Sequence, residues 1–99
     1  MKSAEEIASI MHAICMRKSM YFQPTDSASA MNFINGFMTG CFVLGIDLKL
    51  NWHAAEELRG WDTLACGPIP EMKQLGMTDD EITNELLAIL TVAVENSLA

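Results

Sequence analysis

The chain has 99 residues, 51% of them hydrophobic and 19% charged, with a formal net charge of −7 at pH 7. That length suits one domain and excludes a second, and the apolar content excludes a disordered chain, which would be poor in hydrophobic side chains. An acidic balance of this size repels nucleic acid and favours encounter with a basic partner, and it equally describes a solvated surface that maintains solubility.

The charge is unevenly divided. Residues 1–53 carry four Lys and Arg against four Asp and Glu, whereas residues 54–99 carry two against nine, so the whole net charge belongs to the second half. The opening MKSAEEIASI has neither the positive region nor the apolar run of a secretory signal. The longest apolar stretch, FMTGCFVLGI at residues 37–46, falls short of the ~20 residues of a spanning helix and holds two glycines. Cys15, Cys41 and Cys66 are odd in number and show no paired spacing, which suits a reducing compartment. A cytoplasmic protein with no membrane segment is expected.

Ser3 and Glu6 have capping-box spacing, and Ile7, Ile10, Met11 and Ile14 follow at helical intervals. A first helix is therefore predicted over residues 4–19, with Arg17 and Lys18 in its last turn, where cations complement the helix dipole. Pro24 enforces an extended residue before it, and Thr25, Asp26 and Ser27 are alternative N-caps for a second helix over residues 28–44. Asn32, Asn35 and Thr39 make one narrow polar stripe on this otherwise apolar helix, the pattern of a central element. Gly36 and Gly40, four apart, predict close internal packing, with a dimer seam as their other use.

Gly45 stops the second helix, and IDLKL reads as a connector. Asn51 is the predicted cap of a third helix over residues 52–65, in which Trp52, Ala55, Leu58 and Trp61 lie near one side before CGPIP ends it. A short turn of helix is expected through EMKQLG. The last helix is the clearest: Thr78 and Glu81 repeat the capping box, Asp79 and Asp80 sit at the positive helix end, and Ile82, Leu86, Ile89, Leu90 and Ala93 form an apolar face opposite Asn84, Thr91 and Glu95. The prediction is all-α: one domain over residues 1–99, a compact bundle of about four principal helices with a short extra turn.

Catalytic chemistry has few anchors in this sequence. His12 and Cys15, three apart, are the nearest thing to a ligand pair, with His53 and Cys66 as the other conceivable ligands, which is too little for a metal site. The acidic pairs Glu5–Glu6, Glu56–Glu57 and the run Asp79–Glu81 fall mostly in first helical turns, and adjacent helical residues diverge by about 100° instead of converging on a substrate. No phosphate-binding glycine loop and no nucleophile elbow occurs. The expectation is a protein that is not an enzyme and takes no cofactor or metal.

Residues 14–40, ICMRKSMYFQPTDSASAMNFINGFMTG, carry an Ile, an Arg, a Met-Tyr pair, a Ser-rich loop and then Phe-Ile-x-Gly on a helix. This segment resembles a pattern in small, poorly characterised bacterial proteins, some of the immunity or toxin-accessory type. The match runs through Arg17, Met20, Tyr21, Phe33, Ile34 and Gly36, and departs from the pattern at Lys18, where those proteins often have proline. The gyrase-type ATPases carry an Arg-Lys-x-x-Met-Tyr string with a proline and a glycine in the middle, whereas this chain has only Ser19 between Lys18 and Met20 and lacks their following Ile-Gly, acidic helix and glycine lid. The first resemblance implies a stoichiometric binding role.

Charge and resemblance together give the functional expectation: a protein-binding module, an acidic inhibitor or immunity-type protein that masks a basic partner. Encounter would run through Glu56, Glu57, Asp79, Asp80, Glu81 and Glu85, and anchoring through Arg17, Tyr21, Phe22 or an exposed tryptophan. Two other readings stand beside it: a self-assembling subunit using the apolar helix with Gly36 and Gly40, and a small-molecule binder between helices, lined by methionines and aromatics with Asn32 and Asn35 as polar contacts.

Overall fold

The computed structural model describes residues 4–61 and 67–98. They form α1 (Ala4–Met16), a 3-10 turn (Lys18–Met20), α2 (Ser27–Val43), α3 (Lys49–Leu58), α4 (Ile69–Gln74) and α5 (Asp79–Leu98). No strand occurs among the described residues, and the architecture is an all-α bundle of four longer helices and one short one. The radius of gyration over Cα atoms is 13.0 Å, the value expected of a well-packed chain of about 100 residues.

α5 is the centre of the bundle. Its buried residues come in adjacent pairs, Ile82–Thr83, Leu86–Leu87, Ile89–Leu90 and Ala93–Val94, so the apolar sector is wide enough for several helices to pack around it. α1, α2, α3 and α4 all contact it. Each large aliphatic side chain buried here contributes on the order of 1.5–3 kcal/mol. The second helix, expected to be central, is peripheral: α2 buries only Ser27, Ala30, Ile34 and Met38, one stripe at spacings of three and four. An apolar girth does not make a helix central; the helix with the widest buried sector takes that place. The close internal packing expected at Gly36 and Gly40 is also not made, since a Cβ built at either glycine would meet nothing within 4 Å.

Helix ends follow local chemistry more finely than the sequence pattern did. α1 stops at Met16 because Arg17 leaves helical geometry (φ −132°, ψ 52°), and Tyr21 and Phe22 both donate their N–H to the Lys18 carbonyl, closing a 3-10 turn. Lys18 thus lies beyond the helix instead of in its last turn. Asp26 is the N-cap of α2, its Oδ1 accepting the Ser29 N–H at 2.7 Å. α3 starts earlier than expected, at Lys49, whose N–H is taken by Asp47 Oδ1 at 3.0 Å. Asn51 is therefore not a cap. Its side-chain amide donates to Ser97 Oγ at 2.6 Å and ties the start of α3 to the end of α5.

α3 ends at Leu58, short of the predicted residue 65, because Gly60 adopts φ +87°. Gly60 N–H then bonds the Glu57 carbonyl and Trp61 N–H the Glu56 carbonyl at 2.9 Å, a Schellman closure that only a glycine enters without strain. The remainder of that prediction, residues 62–65, lies outside the described residues, as does Ser3 of the first capping box. The second capping box forms as expected: Thr78 N–H donates to Glu81 Oε1 at 2.8 Å, and Glu81 N–H to Thr78 Oγ1 at 3.2 Å. Asn51 with Ser97 and Arg59 with Glu85 set α3 antiparallel to α5. No described helix is long and apolar enough to cross a membrane.

Candidate functional site

The structure separates the residues expected to bind a partner into four kinds of place. Glu57 and Asp80 are exposed. Asp79 and Glu81 are exposed but already engaged at helix ends, Asp79 at Ser27 of α2 and Glu81 in the capping box of its own helix; the Thr78 bonds keep the Glu81 carboxyl below the usual carboxylate range. Glu85 accepts from Arg59 Nε at 2.5 Å, from Arg59 Nη2 at 2.8 Å and from Trp61 Nε1 at 2.9 Å. The Arg59 bonds lower the Glu85 pKa against the opposing effect of its partial burial. Glu56 is not on the surface at all, being 1% exposed.

The RKSMYF stretch is mostly a packed turn. Phe22 is buried and lies 5.7 Å from the Phe33 ring, and Tyr21 meets Phe33 nearly edge-on at 6.1 Å. Phe33 continues to Phe37 at 6.3 Å. Such tilted and edge-on pairs stabilise a turn beyond the area they bury. Lys18 Nζ donates to the Asn84 side-chain oxygen across the bundle. Arg17, Met20 and the outer edge of Tyr21 remain exposed. Neither tryptophan is an exposed anchor: Trp52 is buried and Trp61 is half-buried on Glu85.

Two features escaped the sequence reading. The first is an apolar corner where α2 turns into α3. Phe42, Val43, Leu44 and Leu50 are 67%, 78%, 81% and 77% exposed, and no described element covers them. Three consecutive apolar residues cannot all face one core from a helix end, so the run before Gly45 was a legible signal. This corner lies toward the carboxyl end of α5, because α3 begins beside Ser97. The acidic run at Asp79 is at the other end of α5, about 27 Å away along its axis.

The second is a cleft between α2 and α3, which both pack on α5 but scarcely on each other. It encloses about 270 Å³ and is lined by Met31, Asn35 and Met38 of α2, by Lys49, Trp52, His53 and Glu56 of α3, and by Gly67, Pro68 and Ile69 at the start of α4. Glu56 Oε1 lies 3.2 Å from His53 Nδ1, while Oε2 is buried with no hydrogen-bond partner among the described residues. Burial pushes the Glu56 carboxyl upward, opposed by His53 and by the nearby Trp52 indole, although no bond of ordinary geometry reaches Oε2. Glu56 follows Trp52 by four and Ala55 by one, so its place on the buried stripe was readable from spacing.

Asn32 and Asn35, expected as polar contacts of a ligand pocket, are both exposed on α2, and only Asn35 lines the cleft. Among the described residues no group of three His, Cys, Asp or Glu is placed to hold a metal ion. Cys15 and Cys41 are free thiols, and partial burial raises the Cys41 pKa. No protein-family model, no curated protein and no solved structure matches the chain.

Proposed function

We propose that the protein acts by binding another protein in a stoichiometric complex, as an acidic inhibitor or immunity-type module that masks a basic partner, and not by catalysis. The observation that carries this reading is the uncovered corner of Phe42, Val43, Leu44 and Leu50, on a chain of net charge −7. Grouped apolar side chains left in water are costly to keep unless they are covered in use, and a few such anchors supply most of the energy of an interface. The acidic field raises the encounter rate with a basic surface and fixes its orientation. Glu57, Asp79, Asp80 and Glu81 steer, the corner docks, and Arg17 and Tyr21 are accessible for secondary contacts. Glu56 and Phe22, being buried, and Glu85, held by Arg59, take no direct part.

A second reading is favoured by one observation: Gly36 and Gly40 leave an open ridge on α2 that runs toward the same corner. A second copy of the chain could approach that ridge closely, making the protein a self-assembling subunit. Capture of the tagged protein with its partners at low salt, followed by a salt gradient, separates the two. The expected result is a basic protein in a one-to-one complex, bound more slowly after Glu57→Lys with Asp80→Lys and lost after Leu44→Asp. A dimer of the chain alone, abolished by Leu44→Asp, replaces the first reading with the second. Binding indifferent to all three substitutions overturns both.

A further inference from the structure

We propose that the α2–α3 cleft is a binding site for a small organic cation, an alkylammonium or guanidinium head on a short apolar stem, with the head received by Glu56 Oε2. This goes beyond the protein-binding reading and does not rest on it. A carboxylate that is 1% exposed, with one oxygen lacking a partner among the described residues, is a standing cost to the fold. The cost is removed when a donor enters, and a charged donor removes it best. His53 already holds Oε1 at 3.2 Å, which leaves Oε2 as the atom to be satisfied.

The walls suit the rest of such a ligand. Met31, Met38, Trp52, Pro68 and Ile69 give the cleft an apolar lining beside the carboxylate for the stem. A cleft of about 270 Å³ is just below the range that holds drug-sized ligands, so it fits a molecule of only a few heavy atoms. Entry requires the lining methionines to shift, and their unbranched thioethers do so at small cost. Lys49, the other charged residue of the lining, is exposed and stands two turns before Glu56, about 10 Å along the axis. Salt weakens its repulsion of a cation at Glu56 in part, and the attraction of the nearer carboxylate has to exceed the remainder.

The test is a titration of the whole chain with n-butylammonium, followed by Trp fluorescence and by the NMR signals of His53 and Trp52, with 1-butanol and butyrate as matched controls. Saturable binding of n-butylammonium, reduced about tenfold or more by Glu56→Gln and absent for both controls, is expected. Met31→Phe, which narrows the cleft without touching Glu56, should weaken binding as well and guards against a folding artefact in the first variant. The blocked amino acid N-acetyl-lysine methylamide tells the source of the head group: its rejection assigns the cleft to free amines, and its binding extends the assignment to a lysine side chain of a partner. Equal binding of 1-butanol, undiminished binding by Glu56→Gln, or no saturable response to n-butylammonium overturns the proposal.

Discussion

Asp79, in the first turn of α5, accepts two hydrogen bonds from Ser27, in the first turn of α2: Ser27 Oγ donates to Oδ1 at 2.6 Å and Ser27 N–H donates to Oδ2 at 3.1 Å. One carboxylate thereby serves two helix starts. It stands where its own helix dipole favours negative charge, and it satisfies an orphan backbone donor of its neighbour. The residues are 52 positions apart, so this contact fixes how the amino ends of α2 and α5 meet.

Asp79→Ala is expected to destabilise the protein by about 1.5–3 kcal/mol, because it removes two charge-assisted bonds and leaves buried Ser27 unsatisfied. Ser27→Ala in the same background should add little, since the pair acts as a unit. Urea unfolding of the two single variants and the double variant measures the coupling. Additive losses would show that the two residues act independently.

Glu85 is the hub of a second long-range link, joining Arg59 and Trp61 of the α3 end to the middle of α5. Glu85→Gln should cost about 1–2 kcal/mol, the low side of the range for charged partners because Arg59 is 39% exposed. The sign of its pH dependence follows from its lowered pKa. The stabilisation is complete above the ordinary carboxylate value and is lost as pH falls through the lowered one. Asp26 and Glu81, lowered by their capping bonds, act in the same direction, so acid unfolding is expected below about pH 4.

Glu56 works in the opposite direction. Its raised pKa means that the fold favours the protonated form, so its contribution is present below the ordinary glutamate value and is lost as pH rises through the raised one. Glu56→Gln should therefore flatten the fall in stability as pH rises above the ordinary glutamate value. Glu56→Leu should raise stability at pH 7 by about 1–3 kcal/mol by removing an unsatisfied buried group. Thermal melts of the three proteins across that range decide it, and a less stable Glu56→Leu would mean that the carboxylate is satisfied in solution.

Gly36→Ala and Gly40→Ala are each expected to stabilise the monomer by about 0.5–1 kcal/mol, since both are helical, both are open, and a Cβ meets nothing within 4 Å. If α2 is a self-association ridge, the same substitutions weaken the dimer. Denaturation and sedimentation on one pair of samples read the two effects separately.

Leu44→Asp should leave stability within about 0.5 kcal/mol, because the side chain is 81% exposed and lost burial is small. It should also reduce binding of a hydrophobic dye to the corner. A large loss of stability would show that Leu44 is covered by the chain itself.

Much of the bundle was legible in the sequence where local chemistry and burial agree. The Thr78–Glu81 capping box opens α5 as expected, and all five residues of its predicted apolar face are buried. Met11, on the predicted apolar face of the first helix, lies in the core. The partner surface was much less legible. Glu56 and Phe22 were read as surface residues and are buried, because composition and charge runs say nothing about which face of a helix meets its neighbours. The corner at Phe42–Leu44 and Leu50 was missed, although three consecutive apolar residues before Gly45 were a readable sign of it.

By itself the sequence determined the helical class, the acidic second half, the cap of α5 and the stop at Gly45, because each depends on neighbours within a few residues. Only the tertiary structure decided that α5 and not α2 is central, that Asp79 caps α2, that Arg59 and Trp61 share Glu85, and that Glu56 Oε2 meets no partner among the described residues. These depend on pairs tens of residues apart, whose meeting is fixed by how the widest apolar sector recruits the others. No local pattern in the chain encodes that choice.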